Sequence, residues 1–307
     1  MLARVYSAAL DGLEAYSVEV EVAAKTGVPG VTIIGLPDAV IRESKDRIRS
    51  SIFSSSFIFK KKYFVINLAP ADTKKEGAAF DLPIALGMLA AMGYIPREAF
   101  DKTLVLGELS LDGKLRPTHG ILSTVLMGRR LGYQRILVPR ENANEAALVS
   151  QMQVVPVDSL DRAAHFLQET ADILPHRIDV DAFFNAVPDD GLDFSEVKGQ
   201  HQAKRMLEIA AAGSHNVLLR GSPGCGKTML ARRFSSILPP LSLEEALEVT
   251  QIYSIAGLLK GRESLITQRP FRHPHHTASH ISLVGGGSYP RPGEVSLAHH
   301  GVLFLDE

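Results

Sequence analysis

The stretch Gly221-Ser222-Pro223-Gly224-Cys225-Gly226-Lys227-Thr228 constrains this chain more than any other. It matches G-x-x-x-x-G-K-[ST], a pattern in which glycines let the backbone curl until successive N–H groups face one point. In such a loop Lys227 sets an ammonium beside the β and γ phosphates of ATP, and the Thr228 hydroxyl is a ligand of Mg2+. The flanks agree with this reading. Val217, Leu218 and Leu219 predict a short buried strand over residues 216–220. Met229, Leu230 and Phe234 predict a helix over residues 227–238, whose positive dipole end would face the phosphates. Residues 221–228, with Met229 just inside the helix, are therefore the candidate nucleotide-binding residues.

A second element lies at the end of the sequence, Gly301-Val302-Leu303-Phe304-Leu305-Asp306-Glu307. Its four apolar residues predict a buried parallel strand, and carboxylates at the C-terminal end of such a strand sit where ligands bind in an open α/β sheet. Asp306 is the candidate Mg2+ ligand alongside Thr228. Glu307 is the candidate for polarising an attacking water, so Glu307 and Lys227 are the expected catalytic residues.

A length of 307 residues suits about two domains. Composition shifts over residues 173–195, where Pro175, Pro188, Gly191 and several Asp residues replace periodic apolar patterning, as in a linker. The expected division is a first domain over 1–172, that linker, and a nucleotide-binding domain over 196–307. The single cysteine, Cys225, excludes internal disulfides and multi-cysteine metal sites. No basic, then apolar, leader opens the chain, and no apolar run approaches the roughly 18 residues a bilayer requires. No membrane contact is expected, and the cytoplasm is the expected compartment.

The first half reads as mixed α/β. Asp11-Gly12 separates two β-rich runs, the second alternating as Ser17-Val18-Glu19-Val20-Glu21-Val22, and predicts a hairpin. Pro37 is expected to open a helix with Val40, Ile41, Ile48 and Ile52 as its apolar stripe. Asp81 is expected to cap a buried helix over residues 82–92. Asp112-Gly113 predicts a second hairpin between residues 104–106 and 114–116. In the second half Met206, Ile209 and Ala210 predict one face of an amphipathic helix.

The two motifs together resemble the AAA+ ATPases, and Asp193-Phe194-Ser195-Glu196-Val197-Lys198-Gly199-Gln200 is similar to the loop that contacts adenine at the start of such modules. His299-His300 before the terminal strand is similar to the magnesium-chelatase-like branch. The strings Arg269-Pro270-Phe271-Arg272-His273-Pro274-His275-His276-Thr277-Ala278-Ser279 and Gly285-Gly286-Gly287-Ser288-Tyr289-Pro290-Arg291-Pro292-Gly293-Glu294-Val295-Ser296-Leu297-Ala298 resemble the YifB/ComM family of bacterial AAA+ proteins. The resemblance implies a homo-hexameric, ATP- and Mg2+-dependent motor on branched or single-stranded DNA, a branch-migration helicase in recombination and natural transformation. The alternative is a magnesium-chelatase-like motor acting on a protein partner. Net charge is −1, so DNA contact would need a local patch. Lys260, Arg262, Arg269, Arg272 and Arg291 outnumber Glu263 and Glu294 in one such segment, and Lys60-Lys61-Lys62 is another candidate. His273, His275, His276 and His280 cluster without a carboxylate between them, which fits hydrogen bonding, a neighbour's nucleotide or DNA phosphates better than a metal.

Lys75-Glu76-Gly77-Ala78-Ala79-Phe80-Asp81 and Leu106-Gly107-Glu108-Leu109-Ser110-Leu111-Asp112-Gly113-Lys114-Leu115 resemble the proteolytic domain of Lon. The resemblance places Ala79 where Lon carries its nucleophilic serine. In the later segment, His119-Gly120-Ile121-Leu122-Ser123-Thr124, it places Leu122 and Thr124 where the general-base lysine would be expected. Covalent catalysis then has no group to run on. The expected fold is α/β: a non-proteolytic Lon-like (ribosomal S5 domain 2-like) α+β domain, then a P-loop AAA+ three-layer αβα module. Because the sensor strand, arginine finger and helical lid of AAA+ modules do not follow Glu307, the sequence reads as a fragment that binds nucleotide weakly and does not turn it over.

Overall fold

The computed structural model describes residues 2–185, 192–259, 264–287 and 290–306. Glu307, Lys260, Arg262, Glu263, Ser288, Tyr289, Pro188 and Gly191, all named above, lie outside the described residues. The chain divides into two compact units at Ile178 and Asp179.

The first unit is built on a seven-stranded sheet. Its elements in chain order are β1 (Leu2–Asp11), β2 (Glu14–Lys25), β3 (Gly30–Ile34), α1 (Ala39–Phe53), β4 (Tyr63–Ala69), α2 (Asp81–Ala91), β5 (Thr103–Val105), β6 (Glu108–Leu109), β7 (Leu115–Arg116), α3 (Ile121–Arg130), β8 (Arg135–Pro139), α4 (Ala143–Ala146), β9 (Gln153–Val157) and α5 (Leu160–Leu167). The strand order is β3-β4-β2-β1-β5-β8-β9. β1 and β2 form the expected hairpin, with Asp11 opposite Glu14 and Gly12 at φ +59°. Pairs β3–β4, β1–β5, β5–β8 and β8–β9 are parallel, so the sheet is mixed.

Period-two alternation explains how β2 sits: Val18, Val20 and Val22 are buried while the Glu residues between them are half-buried. One face of the sheet carries α2, whose residues are all buried and which packs on β1, β2, α1 and α5. A helix apolar on every side belongs in such a place. Gly87 permits the close approach, since a Cβ there would come within 2.7 Å of Val22 Cγ2.

Several local expectations are corrected. α1 is capped by Asp38, whose carboxylate accepts from Ile41 N at 2.7 Å, and not opened by Pro37. Its stripe is Ile41, Ser44, Ile48, Ser51 and Ile52, with Val40 exposed, because Val40 stands one position off the 3.6-residue face. Asp81 is the first residue of α2 and not its cap; Arg47 engages its carboxylate. The Asp112-Gly113 turn joins β6 to β7, while residues 103–105 belong to the main sheet as β5, whose apolar side chains are covered on both faces.

The second unit contains α6 (Val180–Asn185), α7 (His201–Gly213), α8 (Lys227–Phe234), α9 (Leu243–Ala256), β10 (Phe271–Arg272), α10 (His280–Val284), β11 (Gly285–Gly286), β12 (Arg291–Pro292), α11 (Glu294–Leu297) and β13 (Val302–Leu303). β10 and β13 pair in parallel, and β11 and β12 form a short antiparallel ribbon. α9 opens with a complete capping box, Ser242 and Glu245 exchanging bonds of 3.2 and 2.9 Å. It closes at Gly257 in the left-handed region.

Residues 216–220 are assigned to no strand, and Leu218 is 90% exposed, contrary to the buried strand expected there. No described segment pairs with that stretch, and an apolar run without a neighbouring strand has no ladder to join. β13 is also shorter and wetter than expected: Val302, Leu303 and Phe304 are half-buried and Leu305 is 66% exposed. α7 turns Leu207, Ala210 and Ala211 inward and leaves Met206 and Ile209 exposed, so its buried face is rotated from the expected one. α8 ends at Phe234 and passes into a 3₁₀ turn over Ser235–Ile237.

Candidate functional site

The glycine loop has the shape its sequence requires. Gly224 and Gly226 adopt φ of +79° and +90°, where L side chains are strained, and Gly226 leads directly into α8. The Lys227 ammonium curls back over the loop and donates to the carbonyls of Gly221 at 3.0 Å and Ser222 at 3.2 Å. Cys225 is a free, half-buried thiol packed against Gly221, where an added Cβ would come within 2.7 Å of its Sγ. Ser222, Pro223 and Gly224 are exposed.

Thr228 and Asp306 are brought together. Thr228 Oγ1 donates to Asp306 Oδ2 at 3.2 Å, across 78 residues of sequence. Two ligand oxygens on adjacent corners of an octahedron with bonds of about 2.0–2.1 Å lie roughly 3 Å apart. The pair therefore fits Mg2+, a hard cation that takes oxygen ligands. Met229 is exposed on the first turn of α8, outside the loop.

The segment before α7 is anchored to α8. Phe194 N donates to Ser236 Oγ at 3.2 Å, and Arg233 holds Glu196 through bonds of 2.9 and 2.6 Å. Phe194, Val197, Leu207 and Leu230 form a small core, with Leu219 packed against it.

The cations nominated for nucleic acid are less available than their count suggests. Glu294 grips Arg272 with two bonds of 2.6 and 2.7 Å, and that bond raises the Arg272 pKa. Arg269 donates to Pro239 O, His300 O and Glu245. Arg291 is exposed. Lys60 Nζ donates to Met92 O at 2.8 Å and lies over the Tyr94 ring, leaving Lys61 as the exposed member of that triple without these contacts. In the histidine cluster, His275 Nδ1 lies 2.8 Å from Thr277 Oγ1, the His275 and His276 ring centroids lie 4.2 Å apart with the rings tilted by 32°, and His273 packs on Phe304.

In the first unit, Ala79 sits in a 3₁₀ turn before α2 and its carbonyl accepts from Gly107 N at 3.0 Å. Leu122 is buried near the start of α3, its N–H donating to Glu145 Oε1 at 2.8 Å. Lys75 is fully buried and bonds Thr73 O and Oγ1 at 2.7 and 3.1 Å; burial lowers its pKa. Neither Ala79 nor Leu122, where the resemblance places the Lon dyad, carries a nucleophile or a base. No local sequence signal marks buried Asp81 as an ion-pair partner, because Arg47 stands 34 residues away. Arg47 Nε and Nη2 reach its two oxygens at 2.6 and 3.0 Å, and Leu109 N donates to it at 3.2 Å. Desolvation nevertheless outweighs these bonds and pushes its pKa up to about 6.

No helix among the described residues is long and apolar enough to cross a membrane. Residues 193–307 match the family described as magnesium chelatase, subunit ChlI, and residues 20–142 match the one described as subunit ChlI of Mg-chelatase. The whole chain is 46% identical over 308 residues to the uncharacterized protein YifB of Salmonella typhimurium, covering 59% of it. It is 42% identical over 309 residues to the competence protein ComM of Haemophilus influenzae, covering 60% of that protein. Part of it, 46% of the chain, is 30% identical over 156 residues to 18% of the Lon protease of Chloroflexus aurantiacus. The chain thus spans about 60% of the length of the full-chain relatives it matches. With a Lon-like α/β unit followed by an AAA+ phosphate loop, the chain belongs to the YifB/ComM family of magnesium-chelatase-like AAA+ proteins.

Proposed function

We propose that this chain is the nucleotide-binding part of an ATP-driven motor that works on DNA, in the cytoplasm, as a homo-hexameric ring. The observation that carries the reading is the convergence of Thr228 Oγ1 and Asp306 Oδ2 beside a glycine loop with Lys227 folded over it. In this reading the backbone amides of residues 221–228 bind the phosphates, and Lys227 exchanges its two loop carbonyls for phosphate oxygens. Thr228 and Asp306 hold Mg2+, which when bound neutralises charge on the phosphates. Glu307, beyond the described residues, is assigned the role of orienting the attacking water. Residues 1–172 form the non-proteolytic Lon-like domain, 173–195 the linker and 196–307 the AAA+ domain.

The DNA part of the reading is supported by 42% identity to a protein named for competence, and the branch-migration role rests on the same relationship. Arg291 and Lys61 are the exposed cations best placed to meet phosphate, because Arg269, Arg272 and Lys60 already have internal partners. The test is ATP turnover by a version extended to the relatives' full length, with and without branched DNA. Stimulation by branched DNA supports the motor on DNA, and turnover indifferent to DNA refutes it. A second reading, a motor acting on a protein partner as in magnesium chelation, is favoured by the descriptions of both matching families. DNA-independent turnover would support it.

A further inference from the structure

His299 and His300 precede β13, and both imidazoles turn toward one residue of α9. Glu248 Oε2 lies 3.1 Å from His299 Nε2 and 2.7 Å from His300 Nε2. Side chains of adjacent residues ordinarily diverge. Here His300 adopts φ +54°, an uncommon left-handed conformation for a residue with a Cβ, and the two rings lie 4.1 Å apart. Such conformations persist where surrounding structure holds them, and they concentrate at functional positions.

The neighbouring groups complete a ligand shell. His300 Nδ1 lies 3.5 Å from Glu245 Oε1. Glu245 is itself held by Ser242 N at 2.9 Å and by Arg269 at 3.2 Å. A histidine whose Nδ1 faces an anchored carboxylate presents its Nε2 lone pair outward, the arrangement found behind metal-ligating imidazoles. Two imidazole nitrogens and a carboxylate oxygen, joined by hydrogen bonds in the absence of metal, then converge on one point, where a cation can take the place of the shared protons. Among the described residues, Glu248, His299 and His300 are the group whose ligand atoms all lie within 4.8 Å of one another.

We infer that Glu248, His299 and His300 form a binding site for a divalent transition-metal cation of the Zn2+ class. Two imidazoles and a carboxylate suit Zn2+ and disfavour Mg2+, which prefers oxygen ligands. Bonds of about 2.0–2.2 Å put tetrahedral ligand atoms roughly 3.4 Å apart, so the cluster opens by about half an ångström on binding. The Glu248 side chain is 57% exposed and free to move that far. The site lies at the opposite end of β13 from Asp306 and is separate from the phosphate loop. A bound ion would staple α9 to the strand that carries Asp306, with water in its fourth position.

The test is calorimetric titration of the metal-stripped full chain with ZnCl2, paired with thermal unfolding. Binding of one equivalent and a raised Tm are expected. Glu248→Gln and His300→Ala should each weaken binding at least tenfold, and His276→Ala should leave it unchanged. Mg2+ at millimolar concentration should not compete. Unchanged affinity in the first two variants, or loss in His276→Ala instead, would overturn the proposal. X-ray absorption on the zinc-loaded wild-type chain needs no variant to fold. Scattering from two imidazoles supports the site, and an all-oxygen shell overturns it.

Discussion

Thr228 and Asp306, 78 residues apart in sequence, meet through a 3.2 Å bond from hydroxyl to carboxylate. That bond joins the first turn of α8 to the segment just past β13, and it brings the two oxygens to the spacing a magnesium ion takes.

Lys227→Ala removes the loop's cation. Losing one charge-assisted contact to a phosphate costs about 1.5–3 kcal/mol, or roughly 10- to 100-fold in affinity. Binding of a fluorescent ATP analogue to the purified chain should fall by that factor. The urea midpoint should hardly move, because the ammonium bonds only loop carbonyls. Undiminished nucleotide affinity would remove the basis for the phosphate loop.

Gly221→Ala should deform the loop through one contact. The new Cβ would stand 2.7 Å from Cys225 Sγ, closer than carbon and sulfur approach. Nucleotide affinity should drop about tenfold, and adding Cys225→Ala should restore most of it, a coupling of roughly 1 kcal/mol. A double variant no better than the single one would show that the sulfur is not the obstacle.

Asp81 makes the first unit's stability depend on pH. Its folded pKa of about 6 lies above the ordinary 3.8, so between those values the folded chain holds a proton that the unfolded chain releases. The stabilisation is complete below about 3.8 and is lost as pH rises through 6, at most about 3 kcal/mol. Urea midpoints of the wild type should therefore fall from pH 4 to pH 6.5 relative to those of Asp81→Asn. Parallel profiles for the two proteins would contradict this assignment.

Ala79→Ser should not create a peptidase. A serine there regains an oxygen but no base, since Leu122 is aliphatic and Lys75 is turned onto Thr73. Hydrolysis of a fluorogenic peptide or casein should stay at the level of the parent chain. Measurable turnover would mean that another group near position 79 serves as base.

Much of the site was legible because its signals are local. A loop of eight residues carries its own glycines, cation and hydroxyl, and the φ values of Gly224 and Gly226 follow from the lack of a side chain. The β1–β2 hairpin was equally readable, because alternation and an Asp-Gly turn act over a few residues. Burial was harder to read. Leu218 and Leu305 are as apolar as any core residue, yet both are exposed, because covering them depends on neighbours remote in sequence. Val40 and Met206 depart from the expected apolar faces for a smaller reason: one position along a helix is about 100° around it, enough to move a side chain off the buried face.

The amino-acid order alone determined the glycine loop with its Lys227 and Thr228, the family, and the lack of a nucleophile or base at Ala79 and Leu122, since each rests on which chemical groups stand at short fixed spacings. Tertiary structure decided which distant groups meet: Thr228 with Asp306, Arg47 with Asp81, and Glu248 with the His299–His300 pair. Such meetings depend on how helices and strands pack and on a single left-handed residue at position 300. No local pattern specifies them, because the free energy that holds each one is shared across the surrounding fold.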